Sequence, residues 1–165
     1  MTTPVATVPR THVRRSGLVW VAAPIETAFP LFTPLGEKLW APGWDPEFHH
    51  PADGTAVAGM AFSTAGPDGA PTHWVLVDWD PERHAVRYAR MTPGLRVGTV
   101  EVTCRTDGPA ATAAQITYDL TAIGDAGDAD LAEWTQQWFD GFLREWEGQI
   151  ARAIGTTVGR PNPTA

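Results

Sequence analysis

The feature that most constrains this chain is a stripe of large apolar side chains near its C-terminus. The stripe recurs every three or four residues and consists of Leu131, Trp134, Trp138, Phe142, Trp146, Ile150 and Ile154. This spacing predicts one long amphipathic α-helix. Asp128 or Asp130 can cap its start, with Glu133 three residues after Asp130, and Gly155 ends it. An apolar face of this length must be buried against a broad second layer of structure.

The segment before this helix carries the pattern of antiparallel strands. Apolar residues alternate with polar ones, and turn residues such as those at 66–69 and 80–83 separate the runs. Short connections favour hairpins over parallel crossovers. The predicted strands cover residues 12–21, a run from about 48, and residues 60–65, 72–79, 85–91, 96–106 and 111–123.

Two prolines mark short helices directly after the first strand. Pro24 can open one of them, because its fixed φ suits a first helical turn. Thr33 can cap the second, with Pro34 at its first position and residues 35–41 following. This order of elements predicts an α+β fold, in which a curved antiparallel sheet of about seven strands wraps around the C-terminal helix.

Length and composition indicate a single domain with a packed core. The chain has 165 residues, of which 43% are hydrophobic, and no linker or repeat divides it. Residues 1–10 and 155–165 are polar and contain proline or glycine. We therefore expect flexible termini at both ends of one domain that spans residues 11–154.

Charge and cysteine content exclude several classes of function. The net charge is −7 and there is no basic stripe, so neither nucleic acid nor an anionic membrane surface is an expected partner. Cys104 is the single cysteine, so no intramolecular disulfide can form. The chain has neither the apolar region of a signal peptide nor a run long enough to span a membrane. We expect a cytoplasmic monomer or homodimer without stable membrane association.

Tryptophan is unusually frequent. The chain has 8 tryptophans against 2 tyrosines. Tryptophan is large and amphipathic, and its indole N–H needs a partner when it is buried. Eight of them in a small domain indicate either an aromatic core or a cavity lined by aromatic rings.

The end of the first strand carries a pattern typical of one superfamily. The segment Val21-Ala22-Ala23-Pro24-Ile25-Glu26-Thr27-Ala28-Phe29 resembles the V-x-A-P-x-E-x-A-F-like entry into the first helix of SRPBCC proteins. This helix-grip group contains START-like lipid-transfer proteins, the birch-pollen-allergen (Bet v 1-like) fold and aromatic polyketide cyclases. Residues 35–44 are similar to bacterial members that have no assigned activity.

The resemblance covers about residues 12 to 154 and implies a helix-grip fold. It also implies an elongated cavity between the concave face of the sheet and the long helix. The entrance would lie near the two short helices and the loops between strands. Members of the superfamily differ in activity, so function has to be argued from the site.

Candidate cavity residues are aromatic residues near this entrance or helix, and polar residues at inward strand positions. We expect Trp146 to pack in the core instead. A register error of one residue would turn every strand candidate to the other face of the sheet. The candidates are Trp40, Trp44, Trp74, Tyr88, Arg90, Tyr118, Trp134, Trp138 and Phe142.

Three of the polar residues are weak candidates for a catalytic role. Arg90 can hold a carboxylate by a forked pair of hydrogen bonds, or it forms an ion pair with Glu101 or Glu37, or it is simply exposed at the surface. Glu37 beside an indole can have a raised pKa and act as an acid or base, or it complements a helix N-terminus. His73 is a candidate general acid or base because it is a histidine, or it is an ordinary loop or edge residue.

The histidines lack the spacing of a metal site, and no glycine-rich phosphate loop is present, so we expect neither a metal nor another cofactor. The first functional hypothesis is binding or transport of a small hydrophobic or aromatic ligand, lipid-like or polyketide-like, in an internal cavity. The alternative is a cyclase or dehydratase that uses cavity side chains without a metal or nucleotide. A third is a protein-interaction module related to chaperone activators, which requires a filled core and an exposed apolar patch.

Overall fold

The structure, a computed structural model, describes residues 7–66 and 69–159. Within these ranges seven strands form one antiparallel sheet in the order β1-β7-β6-β5-β4-β3-β2. The α+β helix-grip architecture expected from the sequence is confirmed. The strands are β1 His12–Val21, β2 Glu47–His50, β3 Ala61–Ala65, β4 Pro71–Asp80, β5 Ala85–Thr92, β6 Arg96–Thr106 and β7 Thr112–Ala122.

Short helical segments join β1 to β2, as the two prolines predict. They are α1 Ile25–Ala28, a 3-10 turn Phe29–Phe32 and α2 Pro34–Glu37. Thr33 caps α2 as expected, because its Oγ1 accepts a hydrogen bond from the Gly36 backbone N–H at 3.1 Å. The helix is shorter than the sequence predicts, since it ends at Glu37 and the chain continues to residue 41 as turns.

The prediction of one continuous C-terminal helix is wrong at its N-terminal end. Two helices are present instead, α3 Asp125–Ala132 and α4 Gln136–Ile154. Thr135 starts the second one, because its Oγ1 accepts from the Trp138 backbone N–H at 3.1 Å. Gly155 ends α4 as predicted, with a left-handed φ of 70° that glycine adopts without strain.

Asp128 and Asp130 attach α3 to the rest of the domain and do not cap a helix. Asp128 Oδ2 lies 2.6 Å from the guanidinium of Arg10, which also lies 2.8 Å from Asp125. Asp130 forms an ion pair with Arg96 of β6, whose side chain is only 6% exposed. The acidic residues at the start of the predicted helix are therefore used for ion pairs.

The inward faces of the central strands agree with the predicted parity. Neighbouring strands bring Tyr88 of β5 opposite Val100 of β6, and Val100 opposite Tyr118 of β7. The inward residues that are buried are Val86, Tyr88, Arg90, Val100, Val102, Cys104, Ile116, Tyr118 and Leu120.

A β-bulge interrupts the alternation of β4. Leu76 and Asp78 pair with consecutive residues of β5, so Val77 is an extra residue in the strand. After the bulge the parity is reversed and Trp79 faces inward. Its ring stacks on that of Phe29 with centroids 5.4 Å apart.

Helix α4 packs closely on β1. A Cβ added at Gly17 would lie 2.6 Å from Leu143 Cδ1, so the absence of a side chain there allows the close approach. Phe139 and Leu143 are fully buried at this contact. The concave face formed by strands β3 to β7 is only partly covered by this contact, and it lines a cavity.

The flexible termini expected at residues 1–10 and 155–165 fall partly outside the described residues, as do Pro67 and Asp68 of a predicted turn. Among the helices that the structure describes, none is long and apolar enough to cross a membrane.

Candidate functional site

A cavity of about 330 Å³ lies between the concave face of the sheet and α4. Strands β3 to β7, α4, and the segment from α2 to residue 44 supply its walls. Its exposed lining residues include Pro42, Gly43 and Ala65, so it opens between the segment after α2 and the turn that joins β3 to β4. This place agrees with the entrance that the superfamily resemblance implies.

Aromatic rings form most of the cavity wall. Phe62 and Trp74, which pair across β3 and β4, stack with centroids 5.7 Å apart. The edge of Trp44 meets Trp74 at 5.9 Å, and Trp40 meets Trp146 of α4 at 5.2 Å. Such edge and stacked contacts hold the rings in place and leave their remaining surfaces toward the cavity.

The side-chain N–H or O–H groups of four wall residues donate hydrogen bonds to other protein atoms. The indole N–H groups of Trp40 and Trp44 donate to backbone carbonyl oxygens at 2.7 and 2.9 Å. Trp74 donates to Thr64 Oγ1 at 3.0 Å, and the Tyr88 hydroxyl donates to a backbone carbonyl at 3.0 Å. These side chains therefore present ring surfaces to a ligand and have no free N–H or O–H group to donate to it.

Arg90 lies on the inner wall without a counter-charge. It is 9% exposed, and its guanidinium lies over the rings of Trp74 and Tyr118, 4.6 and 5.9 Å from their centroids. Within the described residues it forms no hydrogen bond or ion pair, and its Nε is buried without a partner. The expected alternative, an ion pair with Glu101 or Glu37, is therefore not found there. Burial lowers the pKa of Arg90 to about 10, so the group is charged at neutral pH.

Glu37, the last residue of α2, places a carboxyl group in the cavity wall. The residue is half-buried, and no described residue gives its side chain a hydrogen bond or an ion pair. Loss of solvation raises its pKa to about 8, so the neutral acid predominates at pH 7. The raised pKa suggested by the sequence has this physical cause.

Tyr118 supplies the third polar group that lacks a protein partner. Its hydroxyl forms no hydrogen bond with another described residue, and the side chain is buried on the inner wall. Desolvation raises its pKa to about 12, an effect that the charge of Arg90 partly offsets and that of Glu37 increases. Arg90, Glu37 and Tyr118 thus share one aromatic cavity, and the charges of the first two act on the pKa of the third.

The structure places two predicted cavity residues behind the wall instead of in it. Trp134 lies in the break between α3 and α4, where it packs against Tyr118 at 5.7 Å. Trp138 is 43% exposed and stacks on Phe142 at 5.4 Å. Because Tyr118 and Phe142 themselves line the cavity, the two tryptophans support it from outside.

His73 lies on the outer face of the sheet, away from the cavity. It is exposed, and its Nδ1 is 2.8 Å from Ser63 Oγ, which also lies 2.8 Å from His49 Nε2. It therefore has no access to a ligand in the cavity. Among the residues that the structure describes, no group of three or more His, Cys, Asp or Glu side chains could hold a metal ion.

Two aromatic wall residues were not candidates. Trp146 lines the cavity, which corrects the expectation that it packs in the core. The signal was available, because Trp146 follows the candidate Phe142 by one helical turn. Phe62 lies directly opposite Trp74 on β3, a contact that only the register between the two strands reveals.

Solved structures of three other proteins share this fold. A truncated norcoclaurine synthase from Thalictrum flavum has a TM-score of 0.64 at 13% identity, over 91% of this chain and 98% of that one. The ZhuI aromatase/cyclase from Streptomyces sp. R1128 has a TM-score of 0.60 at 16% identity, over 89% and 100%. Ara h 8.0201 has a TM-score of 0.61 at 12% identity, over 86% and 99%. At these identities the likeness shows the fold alone.

No curated protein matches the chain. A family model described as polyketide cyclase/dehydrase and lipid transport matches residues 10–151, which is almost the whole domain. This match agrees with the motif at the end of β1 and with the cavity under α4. The chain belongs to the polyketide cyclase/dehydrase and lipid-transport family, within the SRPBCC superfamily.

Proposed function

We propose that this protein binds a small hydrophobic or aromatic molecule in the cavity under α4. The observation that carries the proposal is a cavity with mostly aromatic walls and three polar groups that have no hydrogen-bond partner among the described residues, Arg90, Glu37 and Tyr118. Ligand sites in proteins are mostly apolar, with a few polar groups that fix the orientation of the ligand. Family membership supports ligand binding as the general role.

The size of the cavity fits this role. Its volume of about 330 Å³ falls at the lower end of ligand pockets, which span about 300–1,000 Å³. Removing apolar ligand surface from water contributes about 25 cal/mol per Å². A flat ring system in the cavity would bury its faces against the aromatic rings of the wall.

Binding can be tested with a neutral aromatic probe. Titration with β-naphthol, followed by quenching of tryptophan fluorescence, is expected to show saturable binding. Val100 is a buried wall residue of β6, so Val100→Phe fills the cavity and should weaken binding at least tenfold. The matched control is Val97→Phe, which changes an exposed position on the outer face of the same strand.

Native mass spectrometry of the protein as purified gives a second test, because a molecule bound in the cell would be carried along. A wild-type protein that binds no aromatic probe and carries no small molecule would contradict the proposal. Equal binding by Val100→Phe and the wild type would also contradict it, since the cavity would then not be the site.

A second candidate function, cyclase or dehydratase, is favoured by Glu37. Glu37 in its ionised form can take a proton from a carbon next to one carbonyl group, and the guanidinium of Arg90 can stabilise the enolate oxygen that forms. The enolate carbon then adds to the second carbonyl group, and the carboxyl group returns the proton to the new alkoxide. Glu37 next takes the second proton from the same carbon and gives it to the hydroxyl group, which leaves as water. Conversion of a linear diketone to a cyclohexenone, with release of one water, would be followed by chromatography. Glu37→Gln should remove turnover and keep β-naphthol binding. Full activity of this variant would rule out the proposed role of Glu37.

An interaction module related to chaperone activators receives less support, because that hypothesis requires a filled core and the structure has a cavity.

We infer a cytoplasmic protein that acts on a small molecule. Its acidic net charge of −7 does not favour a nucleic-acid partner.

A further inference from the structure

The guanidinium of Arg90 is a buried charge with no opposite charge bound to it. Arg90 is 9% exposed, and its Nε has neither a protein acceptor nor access to solvent. Burying an unpaired charge is costly, so buried arginines are ordinarily paired with a carboxylate. The contact with the face of Trp74 recovers only part of this cost.

The neighbouring acidic groups cannot serve as the missing partner. Asp130 attracts Arg90 electrostatically, but its carboxylate is bound to Arg96. Arg96, which does not line the cavity, also repels Arg90, so the two groups that act on Arg90 from behind the wall are one guanidinium and one carboxylate bound to it. Glu37, on the α2 side, is largely neutral at pH 7 and forms no bond to Arg90. The part of the cavity around Arg90 therefore has a net positive potential.

We propose that the ligand of this protein is an aromatic or apolar carboxylic acid whose carboxylate binds to Arg90. The inference rests on the proposed ligand-binding function and specifies the class of ligand. A guanidinium and a carboxylate are both planar and can form two parallel hydrogen bonds. The guanidinium carbon lies 4.6 Å from the centre of the Trp74 ring, and no described residue bonds to the terminal N–H groups of the guanidinium.

Tyr118 and Glu37 extend the same recognition. The hydroxyl of Tyr118, whose ring lies 5.9 Å from the Arg90 guanidinium, can donate a third hydrogen bond to the carboxylate. At the other side of the cavity the neutral Glu37 can donate to a carbonyl or hydroxyl oxygen of the ligand. The ring surfaces of Trp40, Trp44 and Trp146 then enclose an apolar body between the two polar ends.

The test compares β-naphthoic acid with β-naphthamide, which has nearly the same shape but no charge. Isothermal titration calorimetry at neutral pH is expected to show that the wild-type protein binds the acid at least tenfold more tightly. In Arg90→Gln this preference should disappear, with binding of the amide retained. Arg90→Lys keeps the charge without the planar fork and should give an intermediate preference.

Arg87→Gln is the matched control, since Arg87 lies on the outer face of the same strand in an exposed ion pair with Asp78. It should keep the preference for the acid. Thermal unfolding without ligand adds an independent readout. Arg90→Gln should be at least as stable as the wild type, because it removes an unpaired buried charge, whereas loss of a purely structural arginine would lower the stability.

Two sets of results would overturn the inference. The first leaves the proposed ligand-binding function intact, and the second contradicts that function as well. Equal binding of acid and amide by the wild type, or a preference for the acid that persists in Arg90→Gln and Arg90→Lys, removes the inference and leaves cavity binding intact. Failure of both probes and of β-naphthol to bind the wild type removes the proposed function and the inference with it.

Discussion

The polar atoms of the cavity residues divide into two groups by their hydrogen bonds. The N–H groups of Trp40, Trp44 and Trp74 are saturated within the protein, so the rings contribute contact area. Arg90 and Glu37 keep polar atoms available. Affinity should therefore depend mainly on the first group and selectivity on the second.

The raised pKa of Glu37 predicts that stability falls as the pH rises. The folded protein holds the carboxyl group at a pKa of about 8, against 4.5 for the ordinary group. Below pH 4.5 both states are protonated, and between these values only the unfolded state ionises freely. The free energy of unfolding should therefore decline by up to about 1.4 kcal/mol per pH unit between the two pKa values, relative to Glu37→Gln.

Urea unfolding of the wild type and Glu37→Gln from pH 5 to pH 8 measures this difference. Glu26→Gln, at an exposed position of α1, is the control and should follow the wild type. Parallel curves for the wild type and Glu37→Gln would show that the carboxyl group is well solvated in the folded protein.

Sequence reasoning succeeded for residues whose position follows from strand parity. Tyr88, Arg90 and Tyr118 lie at even spacing in regular strands, so their inward orientation could be predicted. Sequence alone could not choose between the acid–base role and the edge position left open for His73, which lies exposed on the outer face of the sheet. The missing counter-charge of Arg90 could not be predicted either, because it depends on where every nearby carboxylate lies.

The break between α3 and α4 shows why a periodic pattern is an incomplete guide to a helix. Trp134 continues the apolar stripe, although it lies in a non-helical link, because it packs inward against Tyr118. The spacing therefore reports burial and not continuity of the backbone. Thr135 was the available sign of a new helix start, but threonine also occurs within helices.

The two attachments of α3 should differ in strength. Asp130→Asn leaves the buried guanidinium of Arg96 without its counter-charge and should cost about 2–4 kcal/mol, less than for a fully buried pair because Asp130 is 28% exposed. Asp125→Asn should change the free energy of unfolding far less, because Asp125 is fully exposed and Arg10 remains bound to Asp128. Urea unfolding measures both, and equal losses would contradict this account.

Over the whole molecule, α4 serves the core and the cavity with neighbouring stripes of side chains. Phe139, Leu143 and Ile150 are buried in the core. Phe142 and Trp146, on the adjacent stripe, line the cavity. The long contact between α4 and the sheet can therefore hold the domain together while part of the concave face stays open to a ligand.

A cavity ligand should stabilise the whole domain by mass action. At a free concentration of 100 times its dissociation constant, a ligand that binds only the folded state adds about 2.7 kcal/mol to the free energy of unfolding. We expect β-naphthol to do so for the wild type and for Val97→Phe. For Val100→Phe the unfolding curve at the same probe concentration should move much less, and an unchanged wild-type curve would contradict binding to the folded state.

The order of elements and the motif at the end of β1 were sufficient to predict the fold, because few architectures bury a long amphipathic helix under a meander of strands. The cavity was expected only from the superfamily resemblance. Composition could not distinguish it from an aromatic core, since Trp40 and Trp74 are buried in either case. Whether rings meet each other or enclose a space depends on side-chain packing, which the sequence does not display.

The bulge in β4 makes the length of this strand as important as its composition. Trp79 reaches Phe29 only because Val77 adds one residue between two pairing positions. Val77 is 38% exposed, so many residue types can replace it. Deleting it would instead rotate Trp79 to the outer face and remove the stacking contact between β4 and the 3-10 turn at Phe29. In the evolution of this strand, substitutions at position 77 should be frequent and single-residue deletions rare.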